Sequence, residues 1–352
     1  MTTHPAKLLS VASATAPHNL GQDDVVAAAR RVFVGAGRRD FDRIAPVYAN
    51  AGVLRRQSVR PLDWYVEPHG WEDRTAAYLE GAGALFVQAA QRAIAAAGLK
   101  PGDIDVVVTV SSTGVATPSL EARFGDALGL RADVMRVPVF GLGCAGGVSG
   151  LGVAARLARG TPGTRVLLVA VETCTLAFRL GRLDMASVVS TALFGDGAAA
   201  CVLATGPGGL AEVAYVGEHR WPDTLDVMGW RFDDVGFDVV LDRAVPAFAA
   251  ERVPTAARAI LAGGGVALED VRRFVCHPGG AKVAVALEGA LGLADGALAD
   301  ERAVLAAHGN MSAPTVLFVL ERALAGGLGD PTAMLALGPG FTASMALLRP
   351  AA

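Results

Sequence analysis

Cys144 is the residue of this chain best placed for covalent chemistry. It stands in VPVFGLGCAGGVSGLGVAARLARG, residues 137–160, which reads as a short apolar strand, a glycine-flanked turn and a helix of small residues. The unpaired amides and positive dipole end of a helix favour an anion, so a thiolate is stabilised there. The competing reading is a buried cysteine acting as a small hydrophobe, the commoner fate of the residue. Two further residues complete a set suited to acyl transfer. His277 precedes Pro-Gly-Gly at the end of an apolar run, and Asn310 stands in HGNMSAPTVLFVLERALAGG at another turn opening a helix. A thiolate attacks a thioester and keeps the acyl group, and a nearby imidazole lowers the thiol pKa. An N–H from histidine and an NH₂ from asparagine make an oxyanion hole. Asparagine cannot titrate, which favours holding negative charge over relaying protons.

The other histidines and cysteines are weaker candidates. Of His4, His18, His69, His219, His277 and His308, only His277 is followed by a Pro-Gly-Gly strand end, which exposes its ring. His308, two residues before Asn310, ranks second, as a helper or as a core hydrogen-bond donor. Cys144, Cys174, Cys201 and Cys276 have no CxxC or metal-ligand spacing, so free thiols and no metal are expected.

The elements that must position these residues alternate between strands and helices. Valine-rich runs such as DIDVVVTVSS and TRVLLVAVET are the mark of a sheet covered on both faces, in an α/β fold. A first strand is expected over 7–16, a helix over 21–36, a less periodic surface segment over 40–75, and then a long amphipathic helix stopped by Lys-Pro-Gly. The pattern then restarts: AIAAAGLKPGDIDVVVTVSS matches AILAGGGVALEDVRRFVCHPGG, with Ile94 on Ile260, an offset of 260 − 94 = 166. The same offset carries Cys144 onto Asn310 and Ser111 onto His277. Two pseudo-symmetric halves are therefore expected, 1–205 carrying the cysteine and 206–352 carrying the histidine and asparagine. Their equivalent turns would face each other across the centre.

Composition narrows the function. With 352 residues, 52% hydrophobic and 43 glycines, the chain suits two tightly packed halves. A net charge of −3 argues against nucleic acid. No apolar run reaches membrane-span length, and MTTHPAKLLSVASATA lacks the basic start of a signal peptide, so a cytoplasmic location is expected. GxGxxG as a strand-turn-helix, CGSCW, Walker, HExxH and EF-hand patterns are all missing. Arg55, Arg56 and Arg60 form a small basic cluster, read either as solvated surface or as a phosphate contact.

Five blocks in order, GCAGGVSGLGVAARLA, ALFGDGAAACV, VCHPGG, HGNMSAPTVLFVL and LALGPGFTASMALLR, resemble the type III polyketide synthases of the chalcone and stilbene synthase family. The resemblance implies a thiolase-like αβαβα sandwich and a homodimer, with acyl-CoA and malonyl-CoA as substrates and no cofactor. Cys144 would take the starter acyl group. His277 and Asn310 would bind the malonyl thioester, assist decarboxylation and stabilise the enolate. Phe194 matches the aromatic residue between the coenzyme A tunnel and the cavity, and Gly338, Pro339 and Gly340 match the loop shaping the cyclisation pocket. Ser312 is placed with the substrate, and Arg55, Arg56 and Gly280 with coenzyme A. Where the family carries a second gatekeeping phenylalanine, a glycine and larger polar or thioether groups, this chain has Val239, Trp230, Ala177 and Thr117. These departures look like bacterial alkylresorcinol or alkylpyrone synthases, which implies a fatty acyl-CoA starter extended two or three times. Ordinary core packing is the competing account of Val239 and Trp230. The alternative function is a ketoacyl synthase III-like enzyme needing an acyl carrier protein, but there the histidine is typically followed by Gln-Ala-Asn rather than by Pro-Gly-Gly.

Overall fold

The computed structural model describes residues 4–351, apart from 36, 38, 39, 181 and 183. Its central feature is a mixed sheet. Among the described residues the strands run, edge to edge, Arg273–Cys276, Thr332–Gly338, Thr342–Pro350, Ala211–Arg220, Ala6–Thr15, Asp196–Thr205, Val166–Thr173, Val106–Val110 and Met135–Val139. Ala6–Thr15 meets Ala211–Arg220 only through Ala6, Lys7 and Leu8, so the sheet divides there into two leaves. From that seam outward the order is mirrored. Val166–Thr173 and Thr332–Gly338 hold equivalent places, and they start 332 − 166 = 166 residues apart.

Strand sequence explains the layering. Every residue of Val106–Val110 is buried, because alternate side chains enter different cores. Val106, Val108 and Val110 join the central core, while Val107 points to the outer one. The central core is filled by two helices, Gly146–Gly160 and Thr315–Ala325, which contribute Val148, Leu151, Val316 and Leu317. One outer layer is the helix Trp71–Ala96, which lays Ala82, Phe86, Ala89 and Ala93 on Leu167, Val169 and Val171. Phe86 is fully buried, and truncating such a ring to alanine costs about 3–5 kcal/mol. The other outer layer is Val245–Gly263 with Ala281–Ala290, packed on Ala333, Leu335 and Leu347. Helix, sheet leaf, helix pair, sheet leaf and helix pair make the expected αβαβα sandwich.

One region departs from expectation. The segment over 40–75 is not merely surface: it contains the helices Phe41–Ile44 and Pro46–Asn50 and the strand Arg55–Ser58. Phe41, Tyr48 and Val53 pack with Phe33, Val188 and Ala192 in a core of their own. Unevenly spaced aromatic residues carry no periodic signal, yet they bury as well as periodic ones. Among the described residues, no helix is long and apolar enough to cross a membrane.

Candidate active site

Three chain crossings bring the chemistry together. Cys144 lies in the turn Gly143–Ala145, ahead of the central helix Gly146–Gly160. His277 follows the strand Arg273–Cys276, and its backbone N–H donates to the Leu335 carbonyl at 2.7 Å. Asn310 lies between the helices Ala299–His308 and Thr315–Ala325, and its N–H donates to the Leu193 carbonyl at 2.8 Å. The Asn310 carbonyl in turn accepts from Gly195 N–H at 3.0 Å. That crossing requires glycine, since a Cβ on Gly195 would stand 2.2 Å from the His308 carbonyl oxygen. Cys144, His277 and Asn310 all line one cavity of about 740 Å³.

The polar groups at its inner end are unequally satisfied. Asn310 Oδ1 accepts from Ser312 N–H at 2.8 Å, and Asn310 Nδ2 donates to the Gly279 carbonyl at 3.2 Å. The second amide hydrogen is directed at Cys144. Among the described residues, both ring nitrogens of His277 lack a partner although the residue is only 4% exposed. A buried imidazole with nothing to bond to is poised for a ligand. Burial also pulls His277 down to about 4, so the ring is neutral, with one nitrogen donating and the other accepting. The Pro-Gly-Gly strand end thus turns the ring into the cavity instead of exposing it to solvent.

The thiol departs from the sequence expectation as well. Burial pushes Cys144 up to about 11; side-chain hydrogen bonds from Ser312 and Asn310 pull it back, and the carboxyl of Glu172 pushes it further. Desolvation in the turn is the largest of these effects, and it favours the thiol over the thiolate. Glu172 accepts from Ser112 N–H at 2.9 Å and Thr113 Oγ1 at 2.7 Å, and burial lifts it to about 8. Sequence reasoning passed over Glu172, although its signal was visible as an acid ending the apolar strand Val166–Thr173.

The remaining sequence candidates divide. Phe194, Trp230, Val239, Gly280, Ser312 and Pro339 line the cavity. Val239 pairs with Trp230 across the hairpin formed by Met228–Phe232 and Phe237–Leu241, and the Phe194 and Trp230 rings meet edge-on at 6.1 Å. Gly338 and Gly340 do not line it. Gly338 instead packs behind the nucleophile turn, where a Cβ would stand 2.6 Å from that of Ala145. Thr117 is on an exposed loop and Ala177 ends the turn Cys174–Ala177; neither reaches the cavity. His308 bonds Gln57 Oε1 at 2.7 Å, which makes it a structural partner.

The basic cluster also needs correction. Arg56 is buried, and its guanidinium donates to the carbonyls of Thr191, Phe194 and Ala192 at 2.7, 3.1 and 2.9 Å, and to Gln22 Oε1. Both terminal nitrogens are thereby committed, and the residue is 2% exposed, which sets it apart from a solvated phosphate contact. Arg55 is exposed but lies off the cavity wall, and Arg60 pairs with Glu80 at 2.6 Å. The cations that do border the cavity are Arg243 and Lys282, both exposed and both missed from sequence. Their signal was position, two residues past the hairpin and two residues past Pro-Gly-Gly. All four cysteines are free, and no cluster able to hold a metal occurs among the described residues.

Two family models match in tandem: chalcone and stilbene synthases, N-terminal domain, over residues 70–207, and C-terminal domain, over residues 212–351. The chain belongs to the chalcone and stilbene synthase family. It is 39% identical to a 1,3,6,8-tetrahydroxynaphthalene synthase of Streptomyces peucetius subsp. caesius, over 97% of this chain and 92% of that protein. It is 31% identical to a phloroglucinol synthase of Pseudomonas fluorescens, over 85% of this chain and 86% of the relative. The crystal structure of the 1,3,6,8-tetrahydroxynaphthalene synthase of Streptomyces coelicolor A3(2), a bacterial type III polyketide synthase, superposes with a TM-score of 0.92 at 28% identity, covering 98% of this chain and 99% of that one. As a type III polyketide synthase, the chain is a condensing acyltransferase.

Proposed function

We propose that Cys144 accepts an acyl group from a coenzyme A thioester and that His277 and Asn310 drive its extension by malonyl-CoA. The observation that carries this reading is the meeting of thiol, imidazole without a described partner and side-chain amide at one cavity. In the loading step the neutral His277 takes the Cys144 proton as sulfur attacks the thioester carbonyl. The coenzyme A thiolate leaves and takes up that proton. In the condensing step the malonyl thioester carbonyl sits against the N–H groups of His277 and Asn310. Carbon dioxide departs, and its electron pair forms an enolate whose oxygen those donors hold. The enolate carbon then attacks the acyl group on Cys144 and expels the sulfur. Arg243 and Lys282, at the cavity border, are the cations that meet the coenzyme A phosphates.

The starter read best from the lining is a fatty acyl group, extended two or three times and closed to an alkylpyrone or alkylresorcinol. Val47, Met185, Val189, Leu193, Met228 and Leu241 offer it hydrocarbon. Free coenzyme A thioesters suffice in this reading, and the working unit is a homodimer of chains built from an N-terminal half, 1–205, and a C-terminal half, 206–352. A second reading is favoured by the tetrahydroxynaphthalene synthases among the relatives. A naphthalene bearing oxygen on alternate carbons is the pattern left by two-carbon units alone, so malonyl-CoA would be both starter and extender.

Incubation with malonyl-CoA, alone and beside a panel of acyl-CoA thioesters, tests both. Mass spectrometry of products that retain the alkyl chain supports the first reading; an aromatic product from malonyl-CoA alone, unaltered by the panel, supports the second. If no product forms until an acyl carrier protein is supplied, both are overturned in favour of a ketoacyl synthase III-like enzyme.

A further inference from the structure

The strand Arg273–Cys276 is an edge of the sheet, with Thr332–Gly338 on one side and, among the described residues, no strand on the other. Along a strand the main-chain N–H groups point alternately to the two sides. His277 N–H goes inward, to the Leu335 carbonyl at 2.7 Å, so the N–H of Cys276 faces the open edge. There it donates to Glu301 Oε1 at 2.8 Å. Glu301 lies in the helix Ala299–His308 and is 2% exposed; its carboxyl stands where a further strand would supply a carbonyl.

A buried carboxylate is costly to hold without a partner. The neighbouring cations are taken by other acids: Arg273 and Arg322 bond Asp300 at 2.5 and 2.7 Å, and Arg302 bonds the two oxygens of Glu288 at 2.5 and 2.7 Å. Among the described residues Glu301 has no such ion pair, and the contact its burial serves is the one to Cys276. The same helix ends at His308, and Gly309, at φ 70°, turns the chain into Asn310. One helix thus grips the residue before His277 near its start and delivers Asn310 at its end.

We propose that Glu301 is a positioning residue for condensation: its carboxyl fixes the main chain at Cys276 and so sets where the His277 ring stands relative to Asn310. The role rests on the condensing step given above and acts through the main chain, since Glu301 does not line the cavity. Misplacing a reacting group by about 1 Å can cost on the order of 10²-fold in rate.

Decarboxylation of malonyl-CoA, followed as carbon dioxide release, tests this with three substitutions. Glu301→Gln keeps a carbonyl at the same reach, Glu301→Asp keeps the charge but falls a methylene short, and Glu301→Leu removes the acceptor. Glu301→Asp and Glu301→Leu are expected to lower kcat tenfold or more with KM within about twofold of wild type, and Glu301→Gln to restore kcat to within about threefold. Should Glu301→Leu fail to fold, the other two still decide: equal rates in both, or a slower Glu301→Gln, overturn the proposal. A double-mutant cycle with His277→Ala separates positioning from a general loosening of the fold. In that background Glu301→Asp is expected to change the residual rate less than about twofold; the same factor in both backgrounds overturns the proposal. Wild-type protein that releases no carbon dioxide from malonyl-CoA overturns the condensing step itself, whereas unimpaired Glu301 variants beside an impaired His277→Ala overturn only the role of Glu301.

Discussion

Asn310 Nδ2 donates to the carbonyl oxygen of Gly279 at 3.2 Å, so the amide is held by the Pro-Gly-Gly loop that follows His277. Two side chains from different elements therefore keep one geometry toward Cys144, as an oxyanion site requires. In Asn310→Ala the remaining donor works alone. Polyketide formation is expected to fall about 10²–10³-fold, the usual cost of one oxyanion donor, while a starter acyl group still loads onto Cys144. Intact-protein mass spectrometry beside a malonyl-CoA decarboxylation assay separates the two steps. Equal loss of loading and decarboxylation would place Asn310 in the nucleophile's own activation instead.

The resting state of Cys144 makes a second prediction. Burial carries the thiol above its ordinary value, to about 11, and holds His277 below its own, at about 4. At neutral pH both groups are therefore uncharged. The thiolate fraction of the free enzyme should climb about tenfold per pH unit up to the thiol's pKa. Iodoacetamide labelling of Cys144, followed from pH 6 to pH 10, is expected to rise throughout. A plateau reached below pH 8 would instead reveal a thiolate–imidazolium pair.

Cationic residues near the cavity should separate by task. Arg56 is enclosed by the carbonyls of Thr191, Ala192 and Phe194, so Arg56→Met strands acceptors in a dry interior. Each buried group left unpaired costs about 1–3 kcal/mol, so this variant should unfold at markedly lower temperature. Arg243→Glu and Lys282→Glu touch no such network. They are expected to raise KM for the acyl-CoA severalfold or more with a melting temperature near wild type, and the KM change should shrink in high salt. Thermal melts and steady-state kinetics on the same preparations decide the assignment.

What could be read from sequence follows from how local each cause is. Cys144, His277 and Asn310 stand where an apolar run or a helix is interrupted by glycine or proline, and such punctuation survives in a linear reading. The Ile94 and Ile260 register was legible because the helix ends and strands beside them recur in both halves. Arg56 was misread because its carbonyl partners lie 135 to 138 residues away, at the C-terminal end of the helix Met185–Leu193, whose path the arginine does not encode. Thr117 and Ala177 lie off this chain's cavity wall for a related reason: family correspondence names a position but not where its loop runs. Thiol ionisation was not legible because it depends on solvent exclusion, which only packing determines.

The hairpin over the cavity gives the last prediction. Arg179, only 8% exposed, donates to both carboxylate oxygens of Asp233 at 2.8 and 2.7 Å. Trp71 Nε1 donates to the Asp233 carbonyl at 2.6 Å, and Arg182 bonds Asp238 at 2.8 Å. These contacts pin the two strands that carry Trp230 and Val239, which otherwise pair only with each other. An isolated two-stranded ribbon is marginal by itself, so its position over the cavity depends on this anchor. Arg179→Met keeps much of the apolar stem but removes the bidentate pair, leaving Asp233 only the longer Arg182 contact at 4.0 Å and its own turn's amides. Amide hydrogen exchange over residues 228–241 is expected to accelerate at least tenfold, with the strand Val166–Thr173 unchanged. Products should become more heterogeneous in length as the Trp230 wall loosens. Unaltered exchange in that hairpin would show that packing of Phe237 on Trp71 and Trp230 suffices to hold it.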